Sequence, residues 1–230
     1  MTMLPLDVIY EDEDVIVVNK PAGQIVHPAP GHESGALTEA LVAHCPSIAG
    51  VGSYGRPGIV HRLDMETSGA LAAAKTQRAY VAMRRMFESH GDVRKLYLAV
   101  LHGAPVPRDG ELDTLIGRKP WDPKRMAVVD RDGKRALTMW RTLGCRGSLA
   151  LVEFTILTGR THQIRVHAAH LGHPVVGDAL YGDAKRDCRL SVRPRRQLLH
   201  AAALEFPHPV TGRTVSVMAP PPPDIVFAVR

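Results

Sequence analysis

The chain has 230 residues, 45% of them hydrophobic and 23% charged, the balance of an ordinary soluble globular protein rather than of a fibrous, disordered or disulfide-dense one. No apolar run approaches the roughly 18 residues a membrane span requires, and the N-terminal stretch MTMLPLDVIYEDEDVIVV carries acids where a secretory leader would carry bases, so the expected location is cytoplasmic. Cys45, Cys145 and Cys188 are far apart and form no CxxC, which argues against a disulfide framework or a zinc ribbon, while the net charge of +6 draws attention to a polyanionic partner.

In chain order, residues 7–19 read as a strand pair around the acidic turn EDED, with Val15 to Val18 a β-branched run that expects burial on both faces. SGALTEALVAHCP predicts a short helix from near Ser34 to the residue before Pro46. The small-residue run ALAAAK reads as a packed strand. TQRAYVAMRRMFESHG predicts a helix with Ala79, Met83, Met86 and Phe87 inward, Arg78 and Arg85 outward, and Gly91 as its stop. KLYLAVLHG, ELDTLIG, RMAVVD, KRALTMWRTLG and LALVEFTILTG read as strands separated by turns such as DRDG and CRGS. Thr161 to Leu171 predicts a helix with Ile164, Ala168 and Leu171 on one face, and LLHAAALEF and RTVSVMAP read as closing strands. Pro220 to Pro223 reads as a polyproline piece that ends the last strand. Runs of strands with a few helices give an α+β fold with a mostly antiparallel sheet, in a single domain with two lobes.

The charge is unevenly placed. Residues 185–196, KRDCRLSVRPRR, hold six basic residues and one acid, so +5 of the +6 lies there. Such a run suits phosphates, because neutralising them releases counterions; its bland alternative is a solvated loop. A second basic stretch, RKPWDPKR at 118–125, contains Trp121, which either stacks on a base or packs internally, the packed case being the expectation.

Four stretches hold candidate chemistry. In RPGIVHRLDMETSG, Asp64 sits between loop-forming residues and ahead of a buried strand, which suits a presented carboxylate and equally suits a turn cap. In TGRTHQIRVHAAHLGHPVVGD, His162 and Arg165 are spaced to share a helical face, and an arginine fork is a natural partner for an acid that must stay ionised. His162, His167, His170 and His173 raise a zinc reading, against which stand the helix breakers Gly172 and Pro174 and the lack of an HExxH. In RKLYLAVLHG, strand alternation puts Lys95, Tyr97 and Ala99 on one face; Tyr97 fills a core edge or stacks on a base. In NKPAGQIVHP, Lys20 and His27 flank a Pro-Gly turn. GxSxG, Walker and GxGxxG patterns are absent, so neither a serine hydrolase nor a nucleotide cofactor has an evident seat.

Taken together, KPAGQIVH, RPGIVHRLDMETSG, RKLYLAVLHG and TGRTHQIRVHAAHLGHPVVGD, followed by LHAAALEFPHP, resemble the motifs of the RluA-type RNA pseudouridine synthases, in family order over residues 10–210. The resemblance implies a pseudouridine synthase fold: a central, mostly antiparallel mixed β-sheet flanked by helices and loops. It implies an isomerase of structured RNA, a ribosomal RNA or tRNA stem-loop, that uses no metal and no cofactor; a monomer is expected because nothing in the sequence demands an oligomer. It implies Asp64 as the carboxylate acting at the ribose anomeric carbon, by direct attack or through a glycal-type route. It further implies Tyr97 stacking on the uracil, Arg165 pairing with Asp64, and Arg62 filling the space of the flipped nucleotide or contacting its backbone. Arg160 and His27 are expected in phosphate contact and loop support, and Lys185, Arg186, Arg193, Arg195 and Arg196 as further RNA contacts. With the first motif starting near residue 19, a separate RNA-binding domain ahead of it is not expected. The rival readings are a non-catalytic RNA-binding protein on the same scaffold, and a metal-dependent hydrolase built on the histidines of segment 162–173.

Overall fold

A computed structural model describes residues 6–89, 92–119 and 121–228. The chain divides into two compact units, one made of residues 1–94 and 201–220 and the other of residues 95–200 and 221–230.

In the first unit the β-branched run dictates the sheet. β1 (Val8–Glu11) and β2 (Val15–Lys20) form an antiparallel pair. Their turn is fixed by Asp12, whose Oδ1 accepts the amides of Asp14 and Val15 at 2.8 Å each. Val15 to Val18 are at most 1% exposed, as a strand covered on both faces requires. On its other edge β2 pairs antiparallel with β5 (Ser68–Ala74), from Val15 opposite Ala74 to Lys20 opposite Gly69. All seven residues of β5 are buried, and the small side chains let neighbouring layers approach closely. At Gly69 a Cβ would lie 2.2 Å from the Ala201 carbonyl oxygen, so only glycine fits. That carbonyl belongs to β11 (Leu199–Pro207), the next strand in order, which pairs with β12 (Thr214–Met218).

α1 (Leu37–His44) starts three residues later than the sequence predicts; its N-cap, Ala36, is extended. β3 (Gly52–Ser53) and β4 (Arg56–Pro57) make a small separate hairpin. α2 (Gln77–Ser89) buries Ala79, Met83 and Phe87 and exposes Arg78 and Arg85, as the helical spacing predicts, with Met86 only half-buried and Tyr80 joining the buried face. Its predicted stop, Gly91, lies outside the described residues. Arg78 is exposed yet engaged: its fork grips Asp14, with both bonds at 3.0 Å.

In the second unit β6 (Arg94–His102), β7 (Asp109–Lys119), β8 (Asp122–Val129), β9 (Lys134–Arg146) and β10 (Leu149–Ile156) lie in the order β6-β10-β9-β7-β8 with antiparallel pairing. Of these, only β7–β8 and β9–β10 are neighbours both in sequence and in the sheet. α3 (Gln163–His170) and the single-turn α4 (Ala184–Asp187), capped by Asp183, follow. α5 (Pro223–Ala228) is absent from the sequence reading, which took the proline run as strand-ending polyproline. Its last proline instead starts a helix, where a missing N–H is no loss. Ile225 of α5 is 1% exposed and closes a cluster with Val100, Val176 and Leu198.

Two further expectations need correcting. The third helix begins at Gln163 because His162 is left-handed, φ 57°, so His162 precedes the helix instead of sharing a face with Arg165. Trp121, expected to pack, is fully exposed at the β7–β8 turn, with φ 67°. Among the described residues no helix is long and apolar enough to cross a membrane.

Candidate active site

In the first unit the structure accounts for the place of Asp64. The residue opens a tight turn closed by the Thr67 amide, which donates to the Asp64 carbonyl at 3.1 Å. One residue on, the Met65 carbonyl accepts the Gly23 amide and the Lys20 ammonium, both at 3.0 Å. Lys20 ends β2 with 0% exposure. Its Nζ also donates to the carbonyls of Pro21 (2.7 Å) and Gln24 (2.9 Å). Three N–H groups thus meet three carbonyl oxygens, which is what a buried ammonium needs in exchange for water. The KPAG turn and the Asp64 turn are held together by this side chain and by the Gly23 amide. Gly23 adopts φ +81°, a left-handed conformation that favours glycine.

The chain entering the turn is fixed by His61. Its Nε2 accepts the Ala72 amide of β5 at 2.9 Å, and its ring stacks on Phe87 at 4.6 Å. A ring nitrogen that accepts carries no proton, so His61 is neutral with its proton on Nδ1. Arg62, next along, is exposed, and the Asp64 side chain is half-buried. His27 is half-buried, and its Nδ1 meets no hydrogen-bonding group among the described residues. Burial, and then the positive charges of Arg56 and Arg62, push the His27 imidazole below its ordinary pKa.

In the second unit Tyr97 lies on β6 opposite Phe154 and is 7% exposed. Lys95, two residues earlier, is equally buried. Desolvation first, and then the charge of Arg160, bring its ammonium down to about 8.

Arg165 stands on α3 and is held as a fork. Nε donates to Asp178 Oδ2 at 2.7 Å and Nη2 to Oδ1 at 2.8 Å. Asp178 Oδ1 also accepts the amides of Leu180 and Tyr181. Burial alone would raise this carboxyl, but Arg165 and the two amides outweigh it and hold the acid below the usual range. The Tyr181 ring centre is 5.1 Å from the Arg165 guanidinium carbon. The Tyr181 hydroxyl accepts the Met126 amide and shares a 2.8 Å hydrogen bond with His162 Nδ1. Gln163 anchors the start of α3: its Oε1 accepts from the Thr158 hydroxyl and the Arg160 amide, and its Nε2 donates to the Leu137 carbonyl and the Thr138 hydroxyl.

The other expected site residues fall into two groups. Lys185, Arg186, Arg193 and Arg195 are exposed. Arg196 is not: it is 8% exposed, grips Asp224 with Nε and Nη2, and donates from Nη1 to the carbonyls of Gln197 and Leu199. This corrects its place among the RNA contacts, because a guanidinium committed to the fold cannot also serve a phosphate. Arg160 is half-buried and donates from Nε to the Arg135 carbonyl at 2.8 Å. The histidines of segment 162–173 diverge. His167, 0% exposed, bonds the hydroxyls of Thr114 and Thr138, His173 bonds the His102 carbonyl, and His170 is exposed. Among the described residues no three His, Cys, Asp or Glu are grouped to hold a metal ion. Sequence reasoning did not single out Asp178 and Tyr181, although GDALYG overlaps the end of the third motif.

A model of the family described as RNA pseudouridylate synthase matches residues 14–170. The chain belongs to this family. An RNA pseudouridine synthase of Synechocystis sp. is 44% identical over 221 residues, covering 95% of this chain and 66% of the relative. Ribosomal large subunit pseudouridine synthase D of Neisseria meningitidis serogroup B is 45% identical over 228 residues, covering 96% of this chain and 60% of the relative. The chain therefore spans about two thirds of the length of these curated relatives. Among solved structures, human RNA Pseudouridylate Synthase Domain Containing 1 aligns with a TM-score of 0.77 at 31% identity, covering 98% of this chain and 88% of that one. Its match agrees with the α+β architecture and the mostly antiparallel sheet that the sequence predicts.

Proposed function

We propose that the chain isomerises uridine in structured RNA to pseudouridine, with ribosomal RNA the first substrate class to test and tRNA the second, and that Asp64 is the catalytic carboxylate. The observation that carries this reading is the clamped turn: a buried lysine and a glycine amide hold the backbone beside Asp64, while its side chain is left half-buried. Ribosomal RNA comes first because a relative at 45% identity is named for the large ribosomal subunit.

The reaction sets the requirements. The bond from N1 of uracil to C1′ of ribose breaks, the base turns, and a C5–C1′ bond forms. C5 gives up its proton and N1 gains one, so the balance closes without oxidant, reductant or water. A carboxylate acting at C1′, by direct attack or through a glycal-type route, serves the first step. A dry slot then keeps the detached uracil from escaping or the sugar from being hydrolysed. In this reading Tyr97 stacks on the uracil and serves the C5 proton transfer. Arg165, its fork set by Asp178, joins Asp64 and Tyr97 in the catalytic set. Arg62 and the exposed cations Lys185, Arg186, Arg193 and Arg195 take RNA phosphates. Extruding a paired uridine costs a few kcal/mol, which such contacts offset.

The test is Asp64→Asn, assayed by pseudouridine formation and by RNA affinity. Loss of product with affinity within about two-fold of wild type is expected, because the neutral amide keeps the shape and removes the charge. Full turnover by the variant would defeat the assignment, and a wild type that binds RNA without modifying it would favour a pure binding protein.

A further inference from the structure

The β3–β4 hairpin has a rigid base and a bare tip. At the base, the Gly52 amide donates to Gln77 Oε1 at 2.9 Å, and the Ser53 hydroxyl bonds the Tyr80 hydroxyl at 3.1 Å. Gly52 is at φ +86°, and a Cβ there would strike the Tyr80 ring at 2.6 Å. Gly58, just past the hairpin, donates to the Val51 carbonyl and accepts the Ala74 amide of β5, both at 2.9 Å. The hairpin is thus tied to α2 and to β5, both of which are packed elements. Its tip carries Tyr54 at 106% of full exposure, beside the exposed Arg56. The chain then runs directly into the loop of Arg62 and Asp64.

A single exposed aromatic needs no explanation by itself. Here the ring is held out on a fixed support, with the exposed Arg56 two residues along the same hairpin. The charges of Arg56 and Arg62 both act on His27, so these three groups share one neighbourhood of the first unit. An aromatic face beside guanidinium groups is the combination that reads single-stranded nucleic acid, where the ring stacks on a base and the cations take phosphates.

We propose that the β3–β4 hairpin grips an unpaired nucleotide flanking the target uridine, with Tyr54 stacked on its base and Arg56 on its phosphate. The hairpin would then restrict the enzyme to uridines in loops or bulges. The inference rests on the RNA-modifying function proposed above, and the experiment separates the two.

Fluorescence anisotropy of the full chain would use a labelled RNA stem-loop with a uridine-rich loop and a fully paired duplex of equal length. In parallel, pseudouridine would be counted in unmodified large-subunit ribosomal RNA made by transcription. Tyr54→Ala should weaken stem-loop binding about ten-fold, as expected for one lost stack, and Tyr54→Phe should bind like wild type. Duplex binding and melting temperature should not change in either. Arg56→Gln should lower the slope of log affinity against log salt by about one. Stem-loop affinity of Tyr54→Ala equal to wild type would overturn the proposal, as would equal losses on stem-loop and duplex. A wild type that binds the stem-loop but leaves the ribosomal RNA unmodified defeats the enzymatic reading and not the hairpin's.

Discussion

Two arginine–aspartate pairs in the second unit have the same geometry and different surroundings. In Arg165–Asp178 and in Arg196–Asp224, Nε meets Oδ2 at 2.7 Å and Nη2 meets Oδ1 at 2.8 Å. The arginines are 6% and 8% exposed, but Asp178 is 0% exposed and Asp224 is 43% exposed. Contact geometry therefore says little about what each pair contributes. In the first pair both charges are out of water, so either one left alone carries its full desolvation cost. In the second, water serves the acid whether or not the arginine is present, and the arginine keeps the carbonyls of Gln197 and Leu199. The first pair sets a site residue in place; the second ties α5 to the strand region before β11.

The largest break in this symmetry is expected from Asp178→Asn. Removing one partner of a buried pair typically costs about 3–5 kcal/mol, and in a chain of this size that lowers the melting temperature by about 10 °C. Pseudouridine formation should fall as well, because Arg165 loses what aims it. Arg165→Lys separates the two effects. The ammonium keeps the charge against Asp178 but cannot make two parallel bonds, so activity should drop about 100-fold while melting changes much less than in Asp178→Asn. A variant that is simply unfolded would give Arg165 a structural role in place of the proposed one.

Acid should unsettle the second unit in a fixed order. His167 is buried between the hydroxyls of Thr114 and Thr138, and desolvation, then the charge of His170, bring it from an ordinary 6.5 to about 4. The unfolded chain takes up this proton first, so the stability is whole above pH 6.5 and is lost as pH falls toward 4, about 3 kcal/mol in all. The Asp178 carboxyl lies below its usual range, so its contribution is present above the unfolded value of 3.8 and fails only at lower pH. Melting curves from pH 7 to 4 should therefore show a decline that His167→Gln flattens. Parallel curves for the two proteins would remove His167 from the account.

These contrasts also mark what the sequence could reveal. Val15 to Val18, the mostly small β5 and the buried face of α2 were legible because period and composition alone decide them. The turn at Asp64 was legible from its loop-forming neighbours, but its clamp was not, since Lys20 and Met65 are 45 positions apart. Arg196 was misplaced for the same reason: a charge count sees five neighbouring cations and cannot see Asp224, 28 positions on. His162 was put on the helix because spacing does not report a left-handed φ. Trp121 was expected inside because size favours burial, yet a two-stranded turn offers nothing to bury it against.

The smallest expected effect is the one that isolates burial from geometry. Asp224→Asn removes the same two charge-assisted bonds as Asp178→Asn, from an acid that is nearly half in water. Pairs with one solvated partner contribute about 0–1 kcal/mol, so the melting temperature should fall by about 2–4 °C at most. Pseudouridine formation should stay at the wild-type level, because Arg196 and α5 have no part in the proposed chemistry. The asparagine retains one oxygen that can still accept from Nε or Nη2, which limits the loss further. Salt offers an independent check: raising it from about 0.1 to about 1 M, which shortens the screening length from about 10 Å to about 3 Å, should shrink the difference between wild type and Asp224→Asn while leaving that of Asp178→Asn in place. Equal losses from the two variants would mean that bond geometry, not exposure of the acid, governs both pairs.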